Sequence, residues 1–305
     1  MNTNDVGELN NKYSFKQGEA QLCFKLGEGD IPVVEIENKF ASGIISLQGA
    51  HVLSWKPKNE DEVIWLSEDA TFALAKSVRG GIPICWPWFG AHESEASFPA
   101  HGFARTVLWQ VANTVVLPSG ETQITFRLTT NELDNNIHAM WPQDTVAEYR
   151  LTIGKTLTIE LTTINNSDES ITIGQALHTY FKIDDIGNTS VSGLEDKTYL
   201  DKTENFNSKV QKGAITIDSE VDRVYLDTAD DVVINDAKRK ISIQKQGSKS
   251  TIVWNPWIEV ANKMGDLGNE GYRKMLCVES ANAADDVVNI KAGERYTLLV
   301  TYTIS

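Results

Sequence analysis

Along most of this chain apolar and polar residues alternate with a period of two. Over residues 122–130, Ile124, Phe126 and Leu128 alternate with threonine, glutamine and arginine. Leu151, Ile153, Leu157, Ile159 and Leu161 continue the pattern on both sides of a turn at Gly154 and Lys155. Near the C-terminus Tyr296, Leu298, Val300, Tyr302 and Ile304 fall on one face, and Ile171/Ile173, Val232/Ile234 and Ile241/Ile243 are shorter examples. Successive side chains of a strand point to opposite faces, so this alternation predicts strands with one face buried. Turn-forming clusters at residues 117–120, 165–168, 184–187 and 246–248 separate them, at the spacing of an all-β sandwich or barrel.

Helical signals are few. Residues 67–76 (SEDATFALAK) predict a short helix, with Ser67 as cap and an acidic first turn, ending before Arg79-Gly80-Gly81. Residues 131–140 predict one further helical turn. No strand–helix–strand rhythm recurs, which excludes a doubly wound sheet. Without a repeat, low-complexity tract or linker, residues 1–305 are expected to form a single domain. Its first dozen polar residues would be a loose segment and 13–305 the β-fold.

Composition narrows the partners. The chain has 305 residues, and 28 Lys+Arg against 42 Asp+Glu give a net charge of −14. That balance argues against nucleic acid, whose phosphates need a basic face. It does not exclude a small anion, because a pocket needs only one or two local arginines. Three cysteines, Cys23, Cys85 and Cys277, are odd in number and lack metal-ligand spacing, so neither a disulfide framework nor a zinc site is expected. There is no apolar signal core at the N-terminus and no 18-residue apolar run. A cytoplasmic protein without membrane contact, monomeric rather than oligomeric, is therefore expected.

Several familiar motifs fail on inspection. Gly154-Lys155-Thr156 ends like a phosphate-binding loop, but Tyr149 stands where the loop's first glycine belongs. G-x-S-x-G, H-E-x-x-H and G-x-G-x-x-G do not occur, and no two of the five histidines stand four apart. Three segments stand out instead, where charged residues interrupt apolar and aromatic surroundings. The first, SVRGGIPICWPWFG (77–90), places Arg79 beside two glycines, where a ligand can approach closely. The second, FPAHGFAR (98–105), adds His101 and Arg105. Two arginines suit a phosphate or carboxylate, although a structural ion pair or separate surface charges would read the same. The third is split between His178 in QALHTYF and Glu279 in LCVESAN. An imidazole and a partly buried carboxylate can form an acid/base couple, but 101 residues separate them and spacing alone does not bring them together.

Taken together, SVRGGIPICWPWFG, PAHGFAR, LHTYF and VWNPW…CVESAN closely resemble the hexose-6-phosphate mutarotases, the glucose-6-phosphate 1-epimerase branch of the aldose 1-epimerase family. The resemblance runs from about residue 30 to the C-terminus, with the blocks in the family's order. It implies a large antiparallel β-sandwich of the galactose-mutarotase type. It also implies interconversion of the α and β anomers of a hexose 6-phosphate, with neither metal nor organic cofactor. By resemblance Glu279 is the base at the C1 hydroxyl and His178 the acid at the ring oxygen. Arg79, His101 and Arg105 fall on substrate contacts, and Asp201 is similar to a substrate-binding aspartate. Two other readings remain: a mutarotase for unphosphorylated aldoses, or a non-catalytic carbohydrate-binding sandwich. Ala100 stands where some relatives have a glutamine, which leaves the sugar preference open. Trp55, Trp65, Trp109, Trp254 and Trp257 are expected in packing, and Trp86 and Trp88 either there or at the sugar.

Overall fold

The alternating segments become antiparallel strands throughout the computed structural model, which describes residues 5–268 and 270–305. A five-stranded meander, Phe15–Gln17 to His51–Pro57, is followed by interleaved nine- and eight-stranded sheets and a two-stranded one. Thr122–Thr129 is a strand whose Ile124, Phe126 and Leu128 are all buried, and Gly154 to Thr156 is the hairpin turn between Thr145–Ile153 and Leu157–Asn165. Arg295–Ile304 lies mid-sheet, flanked by Leu157–Asn165 and Lys240–Gln246. The architecture is a large antiparallel β-sandwich.

Helix is sparse and only in part placed where expected. Residues 67–76 form turns and irregular chain rather than a helix. The Ser67 hydroxyl does accept from the Asp69 amide, as a cap would. Beyond it, Gln48 takes over the backbone, accepting from the Ala75 N–H and donating to the carbonyls of Ala73 and Lys76. Tertiary hydrogen bonds thus satisfy the groups a helix would have paired internally. Conversely, Val6–Tyr13 is a helix and not a loose segment, capped by Asp5 and anchored by buried Leu9. Residues 1–4 lie outside the described residues. The helical turn expected near 131–140 is there, at Asn135–Met140.

The strand Met275–Asn282 positions the site. All eight of its residues are buried, because both faces are covered. Leu276 and Val278 turn into the main core, where side chains from the nine-stranded sheet such as Phe126, Leu161 and Val300 also meet. Cys277 and Ala281 turn the other way, into two small clusters with Tyr180 and Trp65 and with Ala176, Cys85 and Ile252. Glu279 lies between them on that second face, the period-two consequence of strand geometry.

Candidate active site

His178 and Glu279 meet because of strand register. Leu177 pairs with Ser280, and Tyr180 pairs with Cys277. Carried through, the same register sets His178 directly across from Glu279, where cross-strand side chains are near neighbours. The ladder opens at that point: the His178 amide donates to the Pro83 carbonyl, and the Thr179 amide turns back to Leu177. His178 Nδ1 lies 3.4 Å from Glu279 Oε1. The carboxylate is 1 % exposed and the imidazole 13 %, so the pair is reached from the histidine side. Among the described residues Glu279 Oε2 has no hydrogen-bond partner, and neither does His178 Nδ1 at ordinary hydrogen-bond length. Buried polar atoms rarely lack partners, so this pair is a candidate for meeting a ligand or an ordered water.

The imidazole is held by rings. Tyr180 stacks on it at 4.9 Å, and Trp254 meets both edge-on. Burial, then electrostatic coupling to His101 and the charges of Arg105 and Arg79, holds His178 well below its usual proton affinity. Burial, then the neighbouring Asp222, pushes Glu279 well above the carboxylate range, against Lys202 and Arg105. Both shifts disfavour the charged forms, imidazolium at His178 and carboxylate at Glu279.

His101 reaches the same space, its ring 5.9 Å from that of His178. Burial and then Arg105 lower it to about 3, so it is neutral at physiological pH. Its Nδ1 accepts from the Gly90 amide, which leaves Nε2–H as a donor. His101 and Gly102 both have left-handed backbone, at φ 68° and 71°. A β-carbon on Gly102 would stand 2.0 Å from the Trp86 carbonyl oxygen, so glycine is required where these loops cross.

The two arginines differ. Arg105 is half-buried and donates from Nη2 to the Ala100 carbonyl at 2.8 Å, so a main-chain oxygen steadies it where the side chain at 100 is only a methyl. Arg79 donates from Nε to Asp266 at 3.0 Å and from Nη1 to the Tyr180 hydroxyl at 3.1 Å. Burial works against its charge, but Tyr180 and Asp266 more than offset it and hold the proton tightly. The turn that carries it is fixed by His51, whose Nε2 bonds the Gly80 carbonyl at 2.8 Å.

Asp201 is the expected site residue that the geometry leaves out. It pairs across with Arg223, which puts it on the opposite face of the sheet from Glu279. Its carboxylate is taken by the Thr203 amide and hydroxyl and by Lys209. Asp222, one residue from Arg223, lies on the site face, aligned through Trp254 with Cys277. It forms a 2.7 Å ion pair with Lys202. Neither Asp222 nor Lys202 carried any signal in the sequence, since only the strand register distinguishes Asp222 from Asp201. Trp254, expected in packing, borders the site. Trp86 and Trp88 prove to be packing residues, bonded to Thr163 and to the Pro99 carbonyl.

Comparison with known proteins bears on the family and the fold. The family model described as aldose 1-epimerase matches residues 32–303. An Escherichia coli K12 protein provisionally named glucose-6-phosphate 1-epimerase is 39 % identical over 264 residues, 86 % of each chain. A Salmonella typhimurium protein of the same provisional name is 36 % identical, covering 83 % of this chain and 84 % of its own. Among solved structures, a Salmonella typhimurium protein provisionally described as a mutarotase superposes with a TM-score of 0.85 at 30 % identity, over 98 % of this chain and 99 % of that one. A galactose mutarotase-like protein of Lactobacillus casei shares the fold at 13 % identity, with a TM-score of 0.70 over 90 % and 100 % of the two chains.

Proposed function

The chain belongs to the aldose 1-epimerase family and is an epimerase of sugar anomers; on that premise we propose that its substrates are hexose 6-phosphates of the glucose 6-phosphate class, with His178 and Glu279 as the proton-passing pair. The observation that carries the proton-passing pair is the cross-strand contact of a buried carboxylate with an imidazole, in which Glu279 Oε2 has no hydrogen-bond partner among the described residues.

A pyranose placed against the pair has its C1 hydroxyl at Glu279 and its ring oxygen at His178. From the form in which the pair's one proton rests on His178, Glu279 takes the hydroxyl proton while His178 gives its proton to O5, and the C1–O5 bond breaks. The open aldehyde rotates about C1–C2. The two groups then return their protons in the opposite sense as O5 closes on the other face of C1. Nothing is oxidised, reduced or transferred, so protons placed at two oxygens are the whole of the chemistry. Such general acid–base contributions are typically ~10²–10⁴-fold each. Neutral His101 donates to a ring hydroxyl, and Asp222, held by Lys202, accepts from one. Arg105 and Arg79 are the cations for the 6-phosphate.

One observation favours a second reading, an unphosphorylated aldose: Arg79 already has a carboxylate partner in Asp266. Steady-state kcat/KM on glucose 6-phosphate and on glucose separates the two. The expected result is a clear preference for the phosphate ester that Arg105→Ala diminishes through KM. Equal efficiency on both sugars would refute the phosphate assignment and leave the acid–base pair standing.

A further inference from the structure

The Arg79–Asp266 pair lies part-buried beside Tyr180. Both side chains keep some solvent contact, 25 % for the arginine and 32 % for the aspartate. Pairs that keep solvent contact are screened and contribute modestly to stability. Yet Asp266 is carefully presented. It lies in the connection between the helices Trp257–Met264 and Gly271–Lys274, just after Gly265 with φ 73° and just before buried Leu267. Leu267 pins the segment, and the glycine turn aims the carboxylate at the guanidinium.

The consequence falls on whatever anion meets Arg79. Asp266 occupies Nε–H and Tyr180 one Nη1–H, and among the described residues nothing takes the Nη2 side of the fork, where a ligand can bind. An anion bound there sits beside a carboxylate. A neutral sugar hydroxyl is nearly indifferent to that carboxylate, whereas a phosphate dianion is repelled by it and meets a guanidinium already half-neutralised. Resting on the phosphate reading above, we infer that Asp266 is a specificity-determining residue that moderates the hold of Arg79 on the 6-phosphate. Substrate and product of an anomerisation carry the same phosphate. Tighter binding of both lowers KM without lowering the barrier between them and slows product departure. A carboxylate that loosens the grip on both favours turnover at the expense of affinity.

The test is Asp266→Asn, which keeps the shape and removes the charge, beside Glu270→Gln, which removes a charge from the same connection where its partner is Arg273. Three quantities are measured for each and for the wild type: KM and kcat on glucose 6-phosphate, kcat/KM on glucose, and the Ki of inorganic phosphate as a competitor. Asp266→Asn is expected to lower both KM for the ester and Ki for phosphate by about three- to tenfold, the scale of one like-charge contact in a partly wet site. The ratio of kcat/KM between ester and free sugar should rise, and Glu270→Gln should leave that ratio alone. An unchanged or smaller ratio in Asp266→Asn, with the wild type still preferring the ester, overturns the inference and makes Asp266 a mere prop for Arg79. A wild type that shows no preference overturns the phosphate reading itself, and this inference with it.

Discussion

Burial acts on Glu279 and His178 in opposite senses, raising the proton affinity of one and lowering that of the other. The form with one proton on the pair is the active one, because each direction of ring opening needs one group to give and the other to take. Activity is lost in acid when the pair gains a second proton, and that step waits until pH falls below the ordinary imidazole range. It is lost in alkali when the pair gives up its only proton, and that step is delayed above the ordinary carboxylate range. The kcat/KM profile is therefore expected to have a broad flat top across neutrality. A narrow bell peaking near pH 5 would mean that the two groups titrate as free side chains. Asp222 is the charge that raises Glu279 most, so Asp222→Asn should move the alkaline limb to lower pH. Glu279→Gln and His178→Asn should each reduce kcat by roughly 10²–10⁴-fold while the fold survives; full activity in both would remove the pair from the mechanism.

Strands bring these residues together, and strands are what the sequence displays best. Ile124, Phe126 and Leu128 announce their strand because one side of it meets the core and the other meets water. Met275–Asn282 is less legible, since both of its faces are buried and its one charge interrupts the apolar run without saying what it faces. The contact of His178 with Glu279 was legible only through family resemblance, because it depends on which strand lies beside which and in what register. The same blind spot explains Asp201. It and Asp222 both sit on strands of one sheet, but a side chain's face follows from its register, and Asp201 lines up with Arg223. The helix expected over residues 67–76 failed for a related reason: local propensity was overridden by Gln48, a partner from a distant strand connection that no window of sequence contains. Glycines, by contrast, were informative at the loops. Gly102 is left-handed and touches the Trp86 carbonyl, so Gly102→Ala should destabilise the protein by about 1–3 kcal/mol or more in urea unfolding and disturb the His101 loop. A midpoint equal to that of the wild type would show that the loops can separate without loss.

At the scale of the whole molecule, the sandwich is closed partly by an expensive group. Lys245, on the strand Lys240–Gln246 of the nine-stranded sheet, reaches Ser250 and Thr251 of the eight-stranded sheet and the Thr228 hydroxyl. Only 8 % of it is exposed, and burial lowers its proton affinity to about 7 from 10.5. The unfolded chain keeps the ordinary value, so between these limits it binds a proton that the native protein does not. By linkage the contribution of Lys245 to stability then rises as pH rises from about 7 toward 10.5, at up to ~1.4 kcal/mol per pH unit, and is flat below that window. Lys245→Met isolates the effect, because the acceptors it abandons stay paired: the Thr228 and Thr251 hydroxyls bond each other, and the Ser250 carbonyl accepts from Ser248. The methionine variant should be the more stable protein at pH 7, with its advantage shrinking steadily toward pH 10. Parallel pH dependences of the two unfolding free energies would show that Lys245 keeps its proton in the folded state, and that the tie between the sheets is made by a charged ammonium.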